Sequence, residues 1–441
     1  LPRGAETPWP SRAHGNYALA VLILAFGFSF LDRVILSMLM IPIQQDLAFS
    51  DIQLALLHGF AFAIFYAVAG FPLGRLADTV SRKRLAAVGV AVWSLFTAAC
   101  GLAQSFVGLF VSRVGVGVGE AALSPAAFSL LSDYFPPERR ARAIATYQLG
   151  VTVGASVAYL LGGLVIAIAS RGEAIDVPGI GAIPAWRATF LFVGLPGLLI
   201  ALLALTIREP ARREVASSRS VAGPTLGAWL SDNVRTVTCF ALGVSGINIA
   251  FNALIAWGPT WLVRVYHLAP ATVGLVLGLS MLFAGCIGQL LGAWRSDRLL
   301  ARGISTAVFD TGALCAVVLI PISVALIVPM LGVAVPLIGA TLFFACAAIG
   351  HAPSLIGQIA PNHLRGQVSA IYLFAVNVIG TGVGPFVVAV LTERVFADPL
   401  MVGTSIALTA ASGAAVGAVL LRAGRGALAR SAAALARSIE E

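Results

Sequence analysis

The chain predicts an all-α membrane protein, with twelve transmembrane helices in two pseudo-symmetric six-helix bundles. Three observations carry that expectation: a composition poor in charge, apolar runs of spanning length, and loop landmarks that recur in the second half. Of 441 residues 59% are apolar and only 11% are Asp, Glu, Lys or Arg, whereas a soluble domain carries about 25% charge. Together with a mean hydropathy of +0.95, this describes an exterior that faces hydrocarbon. A soluble enzyme, a nucleic-acid binder and a disordered chain are disfavoured. The formal net charge of +9 does not restore a nucleic-acid partner, because the cations sit between apolar runs instead of forming one basic surface.

The N-terminus is polar and Pro-rich to Asn16, then enters an apolar stretch with no small-residue cleavage site after it, which predicts a retained first helix and not a signal peptide. A spanning helix takes about 20 apolar residues. Runs of that kind lie at 17–41, 54–74, 85–104, 107–131, 142–169, 187–207, 234–257, 271–293, 306–328, 333–357, 367–391 and 400–421. Lys and Arg then orient them, since short cytoplasmic loops collect cations. Only Arg171, Arg187, Arg264 and Arg394 fall opposite the termini and only Arg33 and Arg113 fall in the interior of spans, so the rest of the 28 cations share the side of the termini. Both termini are therefore expected in the cytoplasm.

Two landmarks recur in order. Gly74-Arg75-Leu76-Ala77-Asp78 with Arg82-Lys83-Arg84 leaves the second span, and a degraded copy from Gly292 to Asp297 with Arg298 and Arg302 leaves the eighth. Pro136 and Arg140 before the fifth span answer to Pro361 and Arg365 before the eleventh. Such parallel repeats are a feature of transporters. The expected organisation is an N-terminal bundle (1–207), a cytoplasmic linker (208–233) that is Arg- and Ser-rich and includes Arg213, Glu214 and Arg219, a C-terminal bundle (234–421) and a cytoplasmic tail (422–441).

An ionised side chain at mid-membrane costs about 2.5–3.5 kcal/mol on insertion scales, so such groups pair or line a cavity. Four strong ones stand inside spans: Asp32 and Arg33 in the first, Arg113 and Glu120 in the fourth. Arg113 and Glu120 are two helical turns apart and project from one face, whereas adjacent Asp32 and Arg33 diverge by about 100°. A carboxylate held between desolvation and a movable Arg changes its proton affinity when the Arg moves, which makes Asp32 and Glu120 candidate proton-coupling groups and Arg33 and Arg113 their partners or substrate contacts. The alternative is a pair of static ion pairs that fix helix packing.

His58, Tyr66, Asn248, Asn252, His351 and Asn377 are weaker cavity candidates, for which interhelical hydrogen bonding or packing is the competing use. Gly115, Gly117 and Gly119 lie inside a span with no strand before them, so they predict close helix packing and not a nucleotide loop. Cys100, Cys239, Cys286, Cys315 and Cys346 are scattered through apolar runs and suggest neither a disulfide framework nor a metal site. With no His-Glu-x-x-His and no Gly-x-Ser-x-Gly, neither an enzyme nor a cofactor is expected.

The Gly74-to-Asp78 loop, its repeat and the twelve runs resemble the major facilitator superfamily over essentially the whole chain. Within it, Asp32-Arg33, Ser50-Asp51-Ile52-Gln53, Gly59 to Phe62 with Tyr66, Arg113 to Ala121 and Ser132 to Pro136 resemble the Spinster family. The resemblance implies a monomeric, proton-linked transporter of the bacterial inner membrane that carries a lysophospholipid or a sphingosine 1-phosphate-like lipid by alternating access. It also implies an inner gate in which Asp78 meets neighbouring arginines, Arg75 and Arg142. Thr79 departs from the Arg that many superfamily loops have there, and the second copy around Asp297 is irregular. Two other functions stay open: a small organic-anion or drug transporter of the same fold, and a lipid scramblase with no coupling.

Overall fold

The computed structural model describes residues 9–169, 175–177, 181–212, 225–361 and 364–440. It holds twelve helices long and apolar enough to cross a membrane. They are α1 Arg12–Leu47, α2 Asp51–Thr79, α3 Arg82–Leu102, α4 Phe106–Tyr134, α5 Glu138–Ala167, α6 Ala185–Thr206, α7 Leu226–Tyr266, α8 Pro270–Ala301, α9 Ala307–Ala325, α10 Leu331–Ile359, α11 Arg365–Val395 and α12 Pro399–Leu435. A short antiparallel hairpin, β1 Ile175–Val177 and β2 Gly181–Ile183, lies between α5 and α6. An even number of crossings puts both termini at one end of the molecule.

Local signals set the helix ends. Ser50 and Gln53 form a reciprocal capping box at the start of α2, Ser105 and Thr225 cap α4 and α7, and Pro270 opens α8. Several helices outrun their apolar cores. Helix α1 starts before residue 17 and ends after 41, and α7 takes in residues 226–233 of the expected linker. Helix α12 continues unbroken to Glu440 through the expected tail. The physical reason is amphipathic packing: Trp229 and Leu428 are both buried in one cluster, and Thr236 hydrogen-bonds Ser431 at 2.8 Å. A hydropathy run ends where polar residues begin, whereas a helix ends where its packing does. Arg213, Glu214 and Arg219 of the linker lie outside the described residues.

Three apolar clusters show how the halves meet. One is confined to the first half, from Ala18 to Ile207, and one to the second, from Trp229 to Leu428. The third draws on both, joining Leu31, Leu57 and Tyr159 to Trp257, Leu277 and Val388. Polar contacts between the halves follow the same plan. Arg264 grips Asp51 through two bonds of 2.7 and 2.8 Å and donates to Gln44, while the Ile52 N–H donates to Glu393 at 3.0 Å. All of these belong to the end away from the termini. Gly59, in a π-helical turn Leu56–Phe60, faces the carbonyls of Thr381 and Gly382 in a second such turn, Val376–Val383; a Cβ on Gly59 would sit 2.8 Å from Thr381 O. Towards the termini, by contrast, Gly70, Gly74, Gly357 and Gly366 have open space beside them. The halves are sealed at the end away from the termini.

Candidate transport site

Helix α1 presents Ser29 and Arg33 on one face, because residues four apart lie one turn above another, and turns Asp32 away from it. That offset decides the pairing. Arg33 donates to Glu120 Oε2 from Nε at 2.8 Å and from Nη2 at 2.5 Å, and Ser29 Oγ donates to the same oxygen at 2.6 Å. Among the described residues the Asp32 carboxylate accepts only from Thr97 Oγ1 of α3, at 2.9 Å. Arg113 donates to the backbone carbonyl of Asp32 at 3.4 Å and makes no ion pair with a described residue. The expected match of two carboxylates with two guanidiniums is thus half made: one ion pair, one carboxylate held by a hydroxyl, and one arginine held by a carbonyl.

Asp32, Arg113 and Glu120 are buried, and the Arg33 side chain retains 19% exposure. Within this enclosure Asp32 Oδ1, Glu120 Oε1, Arg113 Nε and His58 Nδ1 have no hydrogen-bond partner among the described residues. Buried polar atoms are rarely left so. The Arg33 guanidinium lies 4.2 Å from the Phe62 ring centre, 4.8 Å from Phe30 and 5.2 Å from Tyr66, a cation–π setting, and Phe62 stacks on Tyr66. The glycine run of α4 makes the approach possible. A Cβ at Gly117 would lie 2.8 Å from Phe62 O, and one at Gly119 would lie 2.6 Å from Trp93 N. Side chains there would push α4 off α2 and α3.

The second half supplies polarity of another kind. Asn248 donates to Val376 O at 3.0 Å, Asn252 to Asn248 O at 2.9 Å and Asn377 to Leu373 O at 2.8 Å. His351 sits between the carbonyls of Ala347 and Val308. All four are engaged by backbone carbonyls, Asn248 and His351 across helices and Asn252 and Asn377 within their own.

At the terminus-bearing end Asp78, Arg75 and Arg142 are exposed, and none forms an ion pair with a described residue. They are not brought together in this conformation. The buried network there is built on Arg82 instead, which binds Asp133, Glu209 at 2.7 Å and Pro210 O at 2.8 Å. Burial pushes the Glu209 carboxyl up, but hydrogen bonds from Arg82, the Lys83 N–H and Ser81 outweigh it and hold the pKa below the ordinary glutamate value. Ser29, Thr97, Asp51 and Glu209 were not singled out as site residues from the sequence. Ser29 carried a signal in its spacing from Arg33; the others meet partners far away in the chain.

A two-half helical bundle with charges buried at its centre and a seal between its halves at one end is the build of a membrane transporter, not of an enzyme. The chain belongs to the Major Facilitator Superfamily, whose family model matches residues 22–385. Within the superfamily it is Spinster-like. A solved bacterial homologue of the human lysosomal transporter Spinster, in an inward-facing and unoccupied conformation, is 27% identical with a TM-score of 0.77, covering 96% of this chain and 98% of that one. An MFS-type efflux pump of Mycolicibacterium smegmatis is 30% identical across 94% of this chain and 93% of its own. A hexuronate transporter of Bacillus subtilis is 25% identical across 85% and 87%.

Proposed function

We propose that this transporter moves an amphipathic, anionic, lipid-like solute by proton-coupled alternating access, with Asp32 and Glu120 carrying the coupling. The observation that carries the reading is the asymmetric pairing: Arg33 is committed to Glu120, and Asp32, in the same turn, makes no ion pair with a described residue. A proton on Glu120 would free Arg33 for an anionic head group, on a floor of Phe30, Phe62 and Tyr66 suited to an apolar neighbour. Release of the solute would restore the pair. Arg113 supplies fixed positive charge beside Asp32.

The bodies that rock are residues 1–207 and 234–421, joined through 208–233, with the described part of the tail 422–441 riding on the second as an extension of α12. The arginine asymmetry of the loops supports cytoplasmic termini in a bacterial inner membrane. The sealed end is then periplasmic, and Asp78, Arg75 and Arg142 would meet only when the cytoplasmic side closes. The protein works as a monomer on this reading, since each element named lies within one chain.

Purified protein in liposomes, with a fluorescent lysolipid and an imposed pH gradient, tests the proposal. Asp32→Asn and Glu120→Gln are each expected to abolish gradient-driven flux while the protein still folds. Undiminished flux in both would remove them as coupling groups. Competition by small carboxylates, with none by lysolipid, would instead favour an organic-anion carrier. That second reading draws on the similarity to a hexuronate transporter.

A further inference from the structure

The outer face of the second half holds a basic pocket that the central site does not use. It is a cavity of about 270 Å³ between the terminus-bearing ends of α8, α9 and α12, walled by Arg295, Arg422, Arg425, Asp310, Leu314 and Val317. Asp310 neutralises Arg425, at 2.7 Å, and is itself held by Thr306. Arg295 is half-buried and donates to Thr311 Oγ1 at 2.6 Å, while Arg422 is exposed; neither makes an ion pair with a described residue. Two guanidinium charges therefore remain uncompensated around one small cavity. A pocket that held only structural arginines would be expected to match them with carboxylates.

Its depth and its walls say what it faces. Trp294, beside Arg295, is 56% exposed and carries the Arg298 guanidinium 5.1 Å from its ring, a placement suited to the interface between hydrocarbon and water. From there Leu314 and Val317 lead along α9 towards the bilayer interior, both exposed. The pocket thus offers positive charge at head-group level and an apolar track for a chain at its side. Basic pockets between helix ends are sites for acidic lipid head groups.

We propose that this pocket binds the phosphate head group of an anionic membrane phospholipid, with Arg295 and Arg422 as its contacts and Leu314 and Val317 against an acyl chain. The site is independent of the solute path and holds whichever solute the centre carries.

Native mass spectrometry of the delipidated full-length protein in detergent provides the test, with dioleoylphosphatidylglycerol, dioleoylphosphatidylcholine and inorganic phosphate as probes. The wild type should retain phosphatidylglycerol over phosphatidylcholine, and Arg295→Gln and Arg422→Gln should each weaken that retention about fivefold. Arg437→Gln, further along the same helix, should leave it unchanged. Equal retention of the two lipids, displacement of lipid by inorganic phosphate at matched concentration, or an equal loss in Arg437→Gln would overturn the proposal. If Arg295→Gln fails to fold, the exposed Arg422→Gln decides it alone.

Discussion

The two halves share a helical plan and differ in what they bury. The first encloses Asp32, Arg113 and Glu120 with a largely buried Arg33, and leaves one atom on each of the three without a partner among the described residues. The second encloses Asn248, Asn252 and His351, whose side-chain nitrogens turn to backbone carbonyls. Amide and imidazole groups are satisfied by backbone carbonyls of their own and of neighbouring helices, so they stabilise one packing. Ions that are only partly paired cost more to bury and can be re-sorted by a proton or an anion. The proposed coupling thus draws on the buried ions of one copy, with the other copy as a supporting wall.

The strongest way to break that contrast is to remove one ion. Arg33→Gln leaves Glu120 buried without its counter-charge and is expected to destabilise the protein by about 3–5 kcal/mol. The double substitution with Glu120→Gln should recover most of the loss while remaining inactive in transport, as read from the apparent Tm in detergent. A double variant no more stable than Arg33→Gln would show that the pair is not the unit that matters.

Next in size come the facing π-helical turns. A methyl at Gly59 meets backbone, whereas one at Gly382 meets the movable ring of Phe60 at 2.9 Å. Gly59→Ala should cost about 1–3 kcal/mol by overpacking and part the sealed end. Gly382→Ala should cost less. Spin labels on α2 and α11 would report the separation, and equal effects at the two glycines would contradict this geometry.

In the neutral half, Asn248→Ala removes a hydrogen bond to Val376 O and should cost about 1 kcal/mol, with coupling between proton gradient and flux preserved. Loss of coupling in that variant would place proton chemistry in the second half as well.

The smallest effect concerns the repeated loop. In the first half Arg82 joins Asp133 and Glu209, whereas Asp297 in the degraded copy is exposed and forms no ion pair with a described residue. The folded pKa of Glu209 is depressed, so its contribution is full above the ordinary glutamate value and is lost as pH falls through the folded one. Glu209→Gln should flatten the acid limb of the Tm-versus-pH curve, and Asp297→Asn should leave it unchanged.

The number of crossings, the common side of the termini and the four mid-membrane ions are written in the chain itself. Each follows from the solvation of single residues, and a lipid solvent acts on residues one by one. The glycine run of α4 was readable for the same reason, since the room it leaves depends on the missing side chains alone. Which ion meets which was decided elsewhere. Asp32 and Arg33 are neighbours in sequence, but the twist of α1 sends one to Thr97 of α3 and the other to Glu120 of α4. The bond from Arg264 to Asp51 likewise joins helices that only the closing of two halves brings together. Pairing depends on distances between helices, and those are set by packing over the whole molecule, so tertiary structure alone determined that three of the buried ions would be left partly unmatched.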